Sequence, residues 1–148
     1  MIANVDPIAA TVLVISDDSE LGGLVAINLR RRGYLVEHTD VSLALAERWE
    51  PSFGQPDLLI VDVELAGRVS RSQLRSLVER PWAHGTPLLL ATENPRSLAM
   101  VLDEPAVALI ARPDDVGKIV ATARSILDHR SPRRSDGEMG DVTSVPFR

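Results

Sequence analysis

Cysteine is absent from this chain of 148 residues, which excludes disulfide scaffolds, thiol catalysis and zinc sites built from cysteine. Aromatic residues make up only 3%, so the core must be aliphatic, and a stacking surface for single-stranded nucleic acid is not expected. Basic residues number 16 against 21 acidic ones, giving a net charge of −5. This balance argues against a nucleic-acid-binding surface that extends over the whole fold.

Long hydrophobic runs are also missing. No segment approaches the roughly eighteen apolar residues of a membrane span, and residues 1–7 lack the basic start and apolar run of a signal peptide. We therefore expect a cytoplasmic protein without a membrane segment. Hydrophobic residues still make up 45% of the chain, which is enough for the core of one ordinary domain.

Short apolar runs predict the strands. Four runs are nearly continuous rather than alternating, which is typical of strands buried on both faces of a parallel sheet. They cover residues 11–16, 57–61, 87–91 and 107–111. A fifth run, over 35–39, mixes apolar and polar residues, as an edge strand does.

Segments with helical spacing of apolar residues lie between these runs and after the last one. The predicted helices cover residues 19–32, 41–50, 70–80, 95–103 and a last segment from 116 to 128. Strand followed by helix, repeated five times, predicts an α/β fold with parallel strands and helices on both faces. We expect an N-terminal extension over 1–10, one domain over 11–128, and a flexible tail over 129–148, where the composition shifts to Arg, Ser, Pro, Gly and Asp.

Polar residues that could carry chemistry follow the predicted strands. In an open α/β sheet, functional groups gather beyond the carboxyl ends of the strands. These positions hold Asp17 and Asp18 after the first strand, Asp62 after the third, Thr92 after the fourth and Arg112 after the fifth. Three carboxylates at one edge repel each other, and a hard divalent cation relieves that repulsion. The pattern therefore predicts bound Mg²⁺, and Mg²⁺ favours phosphoryl chemistry.

This set of motifs, at these separations, resembles the CheY-like receiver domain of two-component response regulators over residues 10–128. The PDLLIVD stretch that ends at Asp62 and the Gly-Tyr-x-Val stretch at 33–36 are similar as well. The resemblance implies a doubly wound, flavodoxin-like (βα)₅ sheet with strand order 2-1-3-4-5. It also implies a signalling protein rather than an enzyme, apart from its own phosphorylation.

The resemblance further implies roles for individual residues. Asp62 would accept a phosphoryl group from a phosphohistidine on a histidine kinase or histidine phosphotransferase. Mg²⁺ would be held by Asp18, Asp62 and the backbone carbonyl of Glu64, and through water by Asp17. Thr92 would hydrogen-bond the phosphoryl group and report its presence to a downstream effector protein.

Some residues depart from the family pattern. Arg112 replaces the usual lysine, and an arginine keeps the charge but has a planar and bulkier head. Glu93 follows Thr92 where the family usually has a small residue, and Leu109 replaces the expected aromatic residue. These departures leave open a degenerate receiver that binds its partner without phosphorylation.

The acidic pair after the first strand allows two further interpretations. Asp17 and Asp18 could cap the first helix, or, more distantly, Asp17 could be the nucleophile of a Mg²⁺-dependent hydrolase.

No DNA-binding output domain is expected in this chain, and a homodimer could form through the fourth predicted helix, the fifth strand and the last helix. His38 is expected to be a solvated side chain, and the Gly22-Gly23 pair matches no phosphate-loop fingerprint.

Overall fold

The computed structural model describes residues 9–16, 18–62, 71–91, 108–110 and 116–129. In chain order, the elements are β1 (Thr11–Ser16), α1 (Ser19–Arg30), β2 (Leu35–Thr39), α2 (Val41–Ala44), β3 (Leu58–Asp62), α3 (Arg71–Val78), a 3₁₀ turn (Pro81–Ala83), β4 (Leu88–Ala91), β5 (Ala108–Ile110) and α4 (Val116–Asp128). The five strands form one parallel sheet in the order β2-β1-β3-β4-β5. The predicted fold class and strand order are confirmed.

Each of the three central strands contributes side chains to both faces of the sheet. On β1, Leu13 and Ile15 pack on the side of α2, α3 and the two tryptophans. Val12 and Val14, between them, pack on the side of α1 and α4. Every residue of β1, β3 and β4 is buried, because helices cover both faces. This explains why their sequences read as continuous apolar runs.

Helix α1 is slightly shorter than predicted. It ends at Arg30 rather than at residue 32, and Gly33 follows with a φ of 96°. The Gly33 N–H donates to the carbonyl of Arg30 at 2.9 Å. Glycine adopts this left-handed conformation without steric cost, so Gly33 ends the helix and turns the chain into β2.

Helix α2 corrects the prediction of a helix over 41–50, since only Val41–Ala44 is helical. The following turns use tighter bonds, such as Trp49 N–H to the carbonyl of Ala46 at 3.1 Å. The Arg80 guanidinium donates to the carbonyls of Leu45 and Ala46, and the ring of Trp49 meets that of Trp82 edge-on at 5.4 Å. Tertiary contacts therefore end this helix early, despite its Leu- and Ala-rich sequence.

The last helix, α4, has the buried stripe that the sequence predicts, with Ile119, Val120, Ala123, Ile126 and Leu127 facing the core. The helix predicted over 95–103, the extension over 1–8 and the tail over 130–148 lie outside the described residues. None of the helices in the described ranges combines the length and the apolar character that a bilayer crossing requires.

Candidate functional site

Asp62 is the last residue of β3, at the carboxyl edge of the sheet. Only 6% of its surface is exposed. It lies beside Ser16, the last residue of β1, in the parallel register of the two strands. The Ser16 hydroxyl donates to Asp62 Oδ2 at 2.9 Å. A buried carboxylate with a hydroxyl donor is thus fixed at the edge where sequence reasoning expected chemistry.

Asp18 is the N-cap of α1. Its Oδ1 accepts from the backbone N–H groups of Glu20 at 3.0 Å and Leu21 at 3.1 Å. The capping interpretation is therefore confirmed for Asp18. Capping uses one carboxylate oxygen, and no hydrogen bond to Oδ2 is recorded among the described residues, so the cap does not prevent Asp18 from also facing a cation.

Ser16 connects Asp18 and Asp62. The backbone N–H of Asp18 donates to the Ser16 hydroxyl at 3.0 Å, and the same hydroxyl lies 2.8 Å from the Asp18 carbonyl oxygen. Ser16 is almost fully buried, with 1% of its surface exposed. The Ser16 hydroxyl therefore contacts both the backbone of Asp18 and the carboxylate of Asp62, which are two of the predicted metal ligands.

Four other predicted site residues lie outside the described residues: Asp17, Glu64, Thr92 and Arg112. Their roles stay predictions. The strands that precede Thr92 and Arg112 do belong to the parallel sheet, and they end at Ala91 and Ile110.

Gly22 is a packing position beside the candidate site that sequence reasoning missed. A Cβ atom on Gly22 would lie 2.8 Å from Ser16 Cβ and closer still to His38 Nε2, whereas a Cβ on neighbouring Gly23 would meet nothing within 4 Å. The absent side chain lets α1 pack directly on Ser16 and His38. The glycine pair in a helix was the available signal, but only the tertiary contact shows which glycine matters.

His38 is half-buried, which corrects the expectation of a solvated side chain. Burial lowers the pKa of His38 below its ordinary value, and the charge of Arg30 lowers this pKa further, while Asp40 opposes the shift. The physical reason for the correction is the missing side chain of Gly22, which gives the imidazole a place against α1.

A cleft of about 490 Å³ opens beside Ser16. Its lining is mostly hydroxyl, imidazole, amide and carboxyl groups, from Ser16, Ser19, His38, Thr39, Asp40, Val41, Ser42 and Gln73. The cleft lies between the carboxyl ends of β1 and β2 and the starts of α1 and α2. It gives the Ser16 side of the site an opening toward solvent.

The donor chemistry of the described carboxylates fits a hard cation. Carboxylate oxygens are the ligands that Mg²⁺ and Ca²⁺ prefer, and the Ser16 hydroxyl joins the backbone of Asp18 to the carboxylate of Asp62. Within the described ranges, no group of three or more potential metal-binding side chains occurs. The complete predicted ligand set includes Asp17 and Glu64, which those ranges do not cover.

No protein-family model matches the chain. No curated protein matches it in sequence either. Solved structures do resemble it. The non-phosphorylated HemR receiver domain from Leptospira biflexa is 20% identical with a TM-score of 0.63, and the match covers 84% of this chain and 99% of that one. The chemotaxis response regulator CheY4 of Vibrio cholerae is 19% identical with a TM-score of 0.61, and the match covers 80% and 99% of the two chains.

A third similar structure shows a modified state. It is a response regulator protein from Burkholderia pseudomallei with a phosphorylated aspartic acid, a calcium ion and citrate. It is 24% identical with a TM-score of 0.53, and the match covers 82% of this chain and 75% of that one. The predicted resemblance to response regulator receiver domains is therefore confirmed at the level of the fold.

Proposed function

We propose that this chain is a receiver domain that accepts a phosphoryl group on Asp62 and signals through contacts with other proteins. The observation that carries the proposal is the place of Asp62. It is a buried carboxylate at the carboxyl end of the central strand β3, joined through Ser16 to Asp18 at the start of α1. The receiver-like fold of the similar structures supports it.

For this phosphoryl transfer, the protein has mainly to position the reacting groups and to neutralise charge on the phosphoryl oxygens. A lone pair of the Asp62 carboxylate attacks the phosphorus of a phosphohistidine on a histidine kinase or histidine phosphotransferase. The new bond joins phosphorus to the carboxylate oxygen, and the phosphorus–nitrogen bond breaks with its electron pair going to the imidazole. The product is an acyl phosphate on Asp62, and the donor histidine takes up a proton from solvent.

A divalent cation, Mg²⁺ in a cell, is the cofactor that we propose. Asp18 and Asp62 would hold it together with Asp17 and the carbonyl of Glu64. When bound, the cation neutralises negative charge on the phosphoryl oxygens. The phosphorylated Burkholderia structure also contains a calcium ion, which supports the proposal of a divalent cation.

Two further residues have proposed roles on the phosphoryl group. Thr92 would donate a hydrogen bond to it, and Arg112 would contact it with its guanidinium. The charge of the attached group would then change the surface that a downstream effector binds. We place this activity in the cytoplasm, where histidine kinases present their phosphohistidines.

Intact-mass measurement tests the proposal. Wild-type protein incubated with Mg²⁺ and acetyl phosphate should gain the mass of one phosphoryl group, and EDTA should prevent the gain. Asp62→Asn should gain nothing. Asp57→Asn is the matched control, because Asp57 is a buried aspartate at the opposite end of β3, and this variant should be phosphorylated like wild type.

The outcome that contradicts the proposal is equally definite. If wild type and Asp62→Asn both stay unmodified, with acetyl phosphate and with a phosphorylated histidine phosphotransferase as donors, Asp62 is not a phospho-acceptor. A receiver fold that binds its partner without phosphorylation then takes its place. Equal modification of wild type and Asp62→Asn would also overturn the proposal, since another residue would carry the phosphoryl group.

A further inference from the structure

The Ser16 hydroxyl has one proton and two acceptors within reach. Asp62 Oδ2 lies at 2.9 Å and the Asp18 carbonyl oxygen at 2.8 Å. A hydroxyl donates only one hydrogen bond at a time, so these two bonds exclude each other. A hydrogen bond to a charged carboxylate is stronger than one to a neutral carbonyl. While Asp62 is an unphosphorylated carboxylate, the Ser16 proton therefore points to Asp62.

The position of Ser16 is fixed from several directions. The strand pairing of β1 holds its backbone beside Asp62, and the Asp18 N–H donates to its hydroxyl at 3.0 Å. Helix α1 packs against its β-carbon at Gly22, where no side chain intervenes. The Ser16 oxygen thus already lies within hydrogen-bonding distance of the carboxylate, and only the hydroxyl proton has to rotate to stabilise a developing charge there.

We propose that Ser16 is a positioning residue that shortens the lifetime of the phosphoryl group on Asp62. The inference rests on the proposed function of Asp62. During hydrolysis, water attacks phosphorus and the bond from phosphorus to the Asp62 oxygen breaks. The electron pair stays on the carboxylate, and the proton of the water passes to solvent as inorganic phosphate leaves.

The charge released in this step is shared by both oxygens of Asp62. A donor on Oδ2 therefore stabilises the leaving carboxylate, whichever oxygen carried the phosphoryl group. The same bond stabilises the Asp62 carboxylate before phosphorylation. Both effects favour the unmodified state, so Ser16 speeds the loss of the phosphoryl group and slows its gain.

The Asp18 carbonyl gives the Ser16 hydroxyl an alternative acceptor when Asp62 is phosphorylated. In the acyl phosphate, Asp62 no longer carries a full carboxylate charge, and the Ser16 proton can turn to the Asp18 carbonyl. The buried hydroxyl then keeps a hydrogen bond in both states. Its reorientation at the N-cap residue of α1 also links the state of Asp62 to the start of that helix.

Phosphoryl lifetime, measured by intact mass after removal of acetyl phosphate, tests the inference. Ser16→Ala should lengthen the half-life by about three- to tenfold, as expected for loss of part of a charge-assisted hydrogen bond. Ser16→Thr should restore a half-life near that of wild type, because it keeps the hydroxyl. Ser42→Ala is the control, since Ser42 lines the same cleft but has no recorded contact with Asp62.

The urea midpoint of each variant shows whether Ser16 only stabilises the fold or also acts on the phosphoryl half-life. A merely structural Ser16 would lower the midpoint in Ser16→Ala without lengthening the half-life. An unchanged or shortened half-life in Ser16→Ala, or a Ser16→Thr variant that behaves like Ser16→Ala, overturns the inference while Asp62 phosphorylation stands. Failure of wild type to accept a phosphoryl group would instead overturn the proposed function itself.

Discussion

Two pairs of a hydroxyl residue and an aspartate lie at opposite ends of the same two strands. At the amino end, Thr11 is the first residue of β1, and Asp57 directly precedes β3. At the carboxyl end, Ser16 is the last residue of β1 and Asp62 the last of β3. In each pair the hydroxyl donates to the carboxylate, and in each pair the two residues are 46 positions apart.

The two pairs differ in the hydrogen bonds that join their two residues. Asp57 Oδ2 accepts from the Thr11 N–H at 2.9 Å and lies 3.3 Å from the Thr11 hydroxyl, while the Asp57 N–H donates to the Thr11 carbonyl at 2.8 Å. The pair at the carboxyl end has one direct side-chain bond, and its hydroxyl is shared with Asp18. The first arrangement locks two strands together, whereas the second places a buried carboxylate at the edge of the sheet that holds the candidate site.

The largest effect on stability should come from Asp57→Ala. Removing this carboxylate leaves the buried Thr11 N–H without that acceptor, and we expect a loss of about 3 kcal/mol in the free energy of unfolding. Urea denaturation measures it. A loss no greater than that of Asp62→Ala would show that the two ends of the strand pair contribute equally.

Gly22→Ala should be the next most damaging change. The new methyl group would lie too close to Ser16 Cβ, at 2.8 Å, and because Ser16 is fixed in a strand, we expect a loss of about 2 kcal/mol from overpacking. Gly23→Ala is the matched control. It should stabilise the protein by about 0.5 to 1 kcal/mol, since alanine favours a helix. Equal effects of the two variants would contradict direct packing of α1 on Ser16.

Asp62→Ala should change stability less than Asp57→Ala, by about 1 kcal/mol at most. The Ser16 hydroxyl keeps the Asp18 carbonyl as an acceptor, so this buried donor is not left unsatisfied. The same urea experiment compares the two alanine variants directly. A loss as large as that of Asp57→Ala would mean that the carboxyl-end pair also holds the fold together.

The smallest effect concerns His38, beside the carboxyl-end pair. Because the pKa of His38 is lowered in the folded state from 6.5, the unfolded chain takes up the proton first as the pH falls. The contribution of His38 is therefore present above about pH 6.5 and lost as the pH falls toward the folded pKa. His38→Gln should flatten the fall in urea stability below that pH, and a fall as steep as that of wild type would contradict this contribution of His38.

The elements that sequence reasoning found best are those whose packing is uniform along their length. The bounds of β1 and β2 agree with the structure, and the apolar stripe of α4 faces the core as expected. The length of α2 was wrong, because Arg80 and the Trp49–Trp82 contact end the helix from outside its own sequence. Local propensity does not contain information about partners more than thirty residues away.

The residues of the candidate site also fall into two groups, those that could be selected from the sequence and those that could not. Asp18 and Asp62 could be selected from their places after apolar runs, because parallel strands bring their carboxyl ends to one edge. Ser16, Gly22 and His38 could not be selected, since a strand-end serine, a helical glycine and an edge-strand histidine each have common explanations alone. Their place in the site follows only from their mutual contacts, which join β1, α1 and β2.

By itself, the sequence determined the parallel α/β architecture and the edge of the sheet that carries the acidic residues, because hydrophobic periodicity and strand-end positions are local properties. The tertiary structure alone decided that one serine hydroxyl would stand between the helix cap and the buried aspartate. Strand register and the close approach of α1 at Gly22 set that geometry, and both depend on which residues meet across the fold.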